Sequence, residues 1–99
     1  MSRYPYPAVY ILTNKPRGTL YIGSTNDLSR RIFEHKQGIL SGFAARYRCH
    51  KLVWYEPHSL MINAIQRERT LKHYIRQWKI DLIETDNPDW SDLYLTLNC

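Results

Sequence analysis

Two short tyrosine-centred segments, Val9-Tyr10-Ile11 and Tyr21-Ile22-Gly23, stand near the front of this chain with Asn14-Lys15-Pro16-Arg17-Gly18 between them. Each is β-branched and aromatic, as strands prefer. An insert holding Pro and Gly is turn chemistry, so the pair reads as a β-hairpin presenting two phenols. Register decides whether the phenols meet. A four-residue loop over 14–17 sets Tyr10 directly opposite Tyr21 with both rings on one face, whereas a one-residue slip sends them to opposite faces. The shared face is the expectation. Gly23, two residues beyond Tyr21, then points the same way without a side chain and leaves room for a ligand to approach the backbone. From pattern alone, two strand tyrosines serve equally well as the cover of a core.

The rest of the chain supplies partners for that hairpin. Ser24-Thr25-Asn26-Asp27 offers several N-caps, and Leu28, Ile32 and Phe33 give the apolar stripe of a helix reaching about Gly38. Asp27, Arg31 and His35 share one row of it, so a guanidinium and an imidazole stack beside the end of the second strand. Lys51-Leu52-Val53-Trp54-Tyr55-Glu56 is a short apolar run stopped by Pro57. It reads as the third strand that a marginal two-stranded hairpin needs. Ser59 then caps a helix running to about Tyr74, with Met61, Ala64, Ile65, Leu71 and Ile75 on one side and Glu68 inside that stripe. A carboxylate aimed at the protein costs roughly several kcal/mol unless a cation compensates it. An ion pair with Arg31, Arg67 or Lys72 would meet that requirement with no function attached. Trp78-Lys79-Ile80-Asp81-Leu82-Ile83 continues the helix or restarts it after a bend, and Asp86-Asn87-Pro88 ends it. Asn87 before Pro88 is an N-cap signature for a short turn through Leu93.

The expected fold is α+β: a small three-stranded antiparallel sheet flanked by helices in the order β-β-α-β-α-α. Ninety-nine residues leave room for one domain over 1–99, with a core of about 6–86 and a C-terminal extension of about 87–99. A net charge of +5 implies an anionic partner. Its distribution is informative: Arg30, Arg31, Lys36, Arg46, Arg48 and Lys51 face Glu34 alone in that stretch, a patch that favours phosphate backbones, although many small basic proteins carry a similar solvated face. Cys49 and Cys99 lie far apart, and no charged start leads into an apolar stretch, so a cytoplasmic protein with reduced thiols is expected. No membrane-spanning run, internal repeat or low-complexity tract is visible, and His50 and His58 near Cys49 lack paired zinc-ligand spacing.

With these residues in this order, the chain resembles the GIY-YIG nuclease superfamily. The first triplet stands here as Ala8-Val9-Tyr10, the second as Tyr21-Ile22-Gly23, the helix Arg as Arg31 and the His one turn later as His35. Likeness extends from about residue 8 to Leu71. The departure is Ala8 and Val9 in place of Gly and Ile, which leaves the strand and its Tyr intact. The resemblance implies a metal-dependent endonuclease that hydrolyses phosphodiester bonds in DNA, with RNA as the alternative, structure-selective and connected with repair. It assigns Glu68 to a single divalent ion, Mg2+ or Mn2+, which a single carboxylate and waters can hold. Tyr10 would take the proton from the attacking water, for which nearby positive charge from Arg31 and the metal should lower its pKa. Tyr21 would hydrogen-bond the phosphate or the water, Arg31 would clamp the non-bridging oxygens, and His35 would orient Tyr10 or relay its proton.

Gly23, Arg30, Lys36, Arg46, Tyr47, Arg48 and Asn87 complete the candidates as substrate contacts. For Asn87 capping is the favoured role, and Tyr47 touches either substrate or core. Tyr4-Pro5-Tyr6-Pro7 reads as a flexible arm or a packed edge. Target choice would come from substrate shape, self-association as a homodimer, or a partner protein. Two other readings stand beside the nuclease. One is a non-catalytic module whose Tyr10, Tyr21 and Trp54 stack bases of single-stranded nucleic acid. The other is a small protein-interaction domain in which the tyrosines and Glu68 are packing and salt-bridge residues. Glu68 weighs against both, because a groove for nucleic acid gains nothing from a carboxylate without a metal.

Overall fold

The computed structural model describes residues 6–98, so the expectations for Tyr4, Pro5 and Cys99 lie outside the described residues. Strands β1 (Ala8–Thr13) and β2 (Leu20–Thr25) form the expected hairpin, and β3 (Lys51–Pro57) is the third strand. The sheet is antiparallel in the order β2-β1-β3. All six residues of β1 are buried, because it is central and both its faces are covered. Pro57 sits at the end of an edge strand, where its missing N–H breaks no ladder.

The helices divide between the two faces. Helix α1 (Leu28–Lys36), the single turn α2 (Phe43–Arg46) and a terminal 3-10 helix (Leu93–Asn98) cover one face, packing Leu28, Ile32, Ala44, Leu97 and Leu93 around Ala8, Tyr10 and Leu12. Helices α3 (Met61–Lys72) and α4 (Arg76–Asp86) cover the other, where Leu71, Ile80 and Ile83 meet Val9, Ile11 and Ile22. The α+β class and the β-β-α-β-α-α order are those the sequence led us to expect. Among the described residues, no helix is long and apolar enough to cross a membrane.

Three local features depart from expectation. Tyr10 pairs with Gly23, and Tyr21 with Leu12, a two-residue shift from a Tyr10–Tyr21 pair. The loop spans 14–19 because the Asn14 side chain accepts from Thr19 N at 3.0 Å and Arg17 adopts a positive φ of 57°. A shift of two preserves the face. The second departure is in β3, where a bulge opposite Ile11 and Leu12 turns Val53 and Trp54 to the same side. Trp54 is therefore buried on the face away from Tyr10, so those two rings and Tyr21 do not form one stacking surface.

The third concerns helix boundaries and exposure. Asp27 caps α1, accepting from Arg30 N at 3.2 Å, but α3 begins after Leu60 rather than Ser59 and has no side-chain cap. The chain breaks between α3 and α4, with Ile75 in extended conformation at the start of α4 and exposed instead of extending the α3 stripe. Phe33 is also exposed, for the α1 stripe is carried by Leu28 and Ile32 alone.

Candidate active site

Tyr10 is the centre of the site. Its ring lies over Gly23, where an added Cβ would come within 2.6 Å of the phenol oxygen. The missing side chain at Gly23 thus makes room for Tyr10 itself, and the space expected for a ligand is filled. Diagonal pairing brings the Tyr21 ring to 6.3 Å from that of Tyr10, and His35 from α1 stands 5.9 Å and 5.7 Å from the two. The Tyr10 hydroxyl lies 3.2 Å from His35 Nε2. Three polar rings from a central strand, an edge strand and a helix thus meet at one corner.

Their electrostatics run against one sequence expectation. Burial pushes the Tyr10 phenol well above its ordinary pKa, with Tyr21 and Glu68 adding to the rise, and the Arg31 guanidinium offsets only part of it. The Arg31 charge, one of the two sources expected to lower this pKa, is outweighed by desolvation. Burial, then Arg31, lowers the His35 pKa, against a smaller opposing effect of Glu34. At neutral pH His35 is therefore an uncharged imidazole, able to accept at Nε2 when Nδ1 carries its proton.

Glu68 approaches from the other layer. Val9 opposite Ser24 and Ile11 opposite Ile22 put Ser24 on the α3 side of edge strand β2, and its hydroxyl donates to Glu68 Oε1. Lys72, one turn along α3, pairs with Oε2 at 2.6 Å. Of the three cations considered from sequence, Lys72 is the partner, while Arg67 binds Glu56 at 3.1 Å and Arg31 lies 3.5 Å from Glu34. Tyr10, Tyr21, Arg31 and His35 thus converge on one face, and Glu68 reaches the same strand from behind with its charge acting on Tyr10. From sequence Ser24 is one of several helix-cap candidates, with no link to Glu68. Its alternation with Gly23 was the available signal.

The charged and polar contacts scatter more widely. Arg30 is exposed and paired with Glu34 at 3.3 Å. Lys36 is turned inward, bound to Asp92 at 2.5 Å and lying 5.2 Å from the Tyr94 ring, so it holds the terminal 3-10 helix. Arg46, Tyr47 and Arg48 are exposed beside α2, with Arg46 over the Tyr47 ring at 5.5 Å. Asn87 is buried, donating to Val53 O at 3.1 Å and Ser91 O at 2.9 Å while accepting from Ser91 N at 3.1 Å. Its amide satisfies the carbonyl freed by the β3 bulge and does not face a ligand. Among the described residues there is no group of three or more His, Cys, Asp or Glu side chains placed to hold a metal ion.

A tyrosine pair on a hairpin, an Arg and a His on the following helix, and a Glu on the helix after the third strand together define the GIY-YIG architecture. Residues 6–81 match the family described as the GIY-YIG catalytic domain, and the chain belongs to this family. It is similar to the UPF0213 protein of Staphylococcus epidermidis, 31% identical over 67 residues, which cover 68% of this chain and 82% of that one. It is likewise similar to the UPF0213 protein of Staphylococcus saprophyticus, 33% identical over 75 residues, covering 76% and 90%. No solved structure matches the chain.

Proposed function

We propose that this protein is a cytoplasmic, metal-dependent endonuclease that hydrolyses phosphodiester bonds in DNA, with structure-selective cleavage and a repair-related role. The observation that carries the reading is the Tyr10 hydroxyl beside a neutral His35 Nε2, with Tyr21 and Arg31 at the same corner. A strongly raised phenol does not lose its proton to solvent at neutral pH. It can instead pass that proton to His35 Nε2 while its oxygen takes one from the attacking water, so no free phenolate has to accumulate. The water oxygen then bonds to phosphorus, the bond to the 3′ oxygen breaks and that oxygen takes a proton from solvent, while the Arg31 fork and Tyr21 hydroxyl hold the charge on the non-bridging oxygens.

Glu68 is the residue that would hold a divalent ion. Its two oxygens offer about four acceptor positions, and Ser24 and Lys72 use one on each oxygen. The remainder suits Mg2+ or Mn2+, since hydrated Mg2+ is commonly held by one or two carboxylates and completed by waters and substrate phosphate. Bound there, the ion would supply charge stabilisation at the phosphate and leaving oxygens.

The test compares wild type, Tyr10→Phe and Glu68→Ala on branched, flapped and blunt duplex DNA, each with Mg2+ and with EDTA. Cleavage confined to wild type with metal is expected. Equal product from all three proteins, or product undiminished by EDTA, would overturn the nuclease reading.

A further inference from the structure

One wall beside the Tyr10 corner takes no part in the chemistry proposed above. Phe43, at the start of α2, is 50% exposed, and its ring stacks on Tyr21 at 6.3 Å with the planes 23° apart. Tyr47, 41% exposed, lies 4.7 Å from Phe43 and carries the Arg46 guanidinium over its ring. Tyr21, Phe43 and Tyr47 therefore run in series from the Tyr10 phenol to solvent. A groove at the β2 edge is lined by Tyr21 and Phe43 together with Lys79 from α4 and Lys72 from α3, the latter paired with Glu68. An aromatic surface beside Lys79 suits a single strand, whose exposed base faces can stack while its phosphates meet a cation. A continuous duplex keeps its base faces in its own stack and offers none to Phe43.

Resting on the nuclease reading, we propose that Phe43 and Tyr47 form a stacking platform for an unpaired nucleobase next to the scissile linkage. Lys79 follows the backbone of that strand. The substrate class is then nucleic acid with a single-stranded segment at the cleavage point, and Phe43 is the residue that selects it.

The experiment measures equilibrium binding in EDTA, so cleavage is not needed. The probes are a flapped duplex, a single strand and a blunt duplex, with 2-aminopurine at the unpaired position beside the junction in the flap. Phe43→Ala should weaken flap and single-strand binding about ten-fold, from a stacking loss of about 1 to 3 kcal/mol per base, and relieve 2-aminopurine quenching. Blunt-duplex affinity should stay the same, and Phe43→Trp should restore both readouts. Tyr47→Ala, which keeps the Phe43 ring on Tyr21, repeats the comparison from the outer end of the series, and Lys79→Ala should lower the salt slope on single strands. Equal loss on all three probes, or quenching that survives Phe43→Ala, overturns the platform. Cleavage is scored separately with Mg2+: quenched binding without cleavage removes the nuclease reading alone, and cleavage indifferent to Phe43→Ala with quenching retained removes the platform alone.

Discussion

Gly23 faces Tyr10 directly across the β1–β2 ladder, and the Tyr10 ring occupies the space that a side chain at Gly23 would need. An added methyl must displace either the ring or the strand, because β1 is buried on both faces and cannot retreat. Gly23→Ala should cost about 1 to 3 kcal/mol in urea unfolding and disturb the Tyr10–His35 contact. An alanine variant of wild-type stability and activity would show that the ring is not seated as described.

Tyr10→Phe isolates the hydroxyl. The ring and its packing stay, so stability should change by less than about 1.5 kcal/mol, the worth of an ordinary hydrogen bond. Cleavage should fall by about 100-fold or more, the usual contribution of positioned proton transfer. Denaturation curves beside single-turnover cleavage rates separate these effects.

Tyr10 and His35, the two shifted groups at this corner, move in opposite directions with pH. Burial and Arg31 depress the His35 pKa, so the folded state resists its protonation. That part of stability is present above about 6.5, the unfolded value, and is lost as pH falls through the folded value. NMR titration of the His35 ring should give a midpoint below 6.5, with cleavage declining over the same range. Tyr10 is raised, so its contribution is present below the ordinary phenol value of 10.0 and is lost as pH climbs through the folded value. Ultraviolet titration of wild type against Tyr10→Phe should find no Tyr10 ionisation at or below 10.0.

Asn87 and Lys36 should behave as structural residues. Asn87→Ala removes the amide that satisfies the β3 bulge and should cost about 1 to 3 kcal/mol by leaving buried backbone groups unpaired. Affinity for DNA measured well below the melting point should be unchanged.

Salt titration sorts the basic residues. Arg46→Ala or Arg48→Ala should reduce the log-log salt slope of DNA binding by about one. Lys36→Ala should leave the slope alone and lower the melting temperature, since its charge is engaged with Asp92. A slope change at Lys36 with none at Arg46 or Arg48 would reverse this division.

What the sequence disclosed follows from local chemistry. Strand segments, the shared face of Tyr10 and Tyr21, the Arg31–His35 row and the third strand stopped by Pro57 all rest on side-chain period and turn residues. Exact pairing did not follow, because loop length depends on Asn14 bonding Thr19 and on Arg17 reaching Glu84 at 3.0 Å, a contact 67 residues away. The break near His73 has no Pro or Gly to announce it. The bulge that hides Trp54 was equally silent, for Val53-Trp54 reads the same with or without it. Charge was misleading where partners were distant: Lys36 looks free in sequence, yet Asp92 lies 56 residues downstream.

That last partnership reaches beyond the site. The Asp92 carboxylate accepts from Lys36 on α1, from Leu52 N on β3 and from Tyr94 N, fastening the tail to two elements at once. Leu97 enters the same cluster as Tyr10. A fragment trimmed to the family-matching stretch 6–81 would shed this clasp together with Trp90 and Leu97, both buried. The stretch matched by the family thus ends before Leu97, a residue packed in the same cluster as Tyr10, so likeness marks out less of the chain than the packing around the phenol uses.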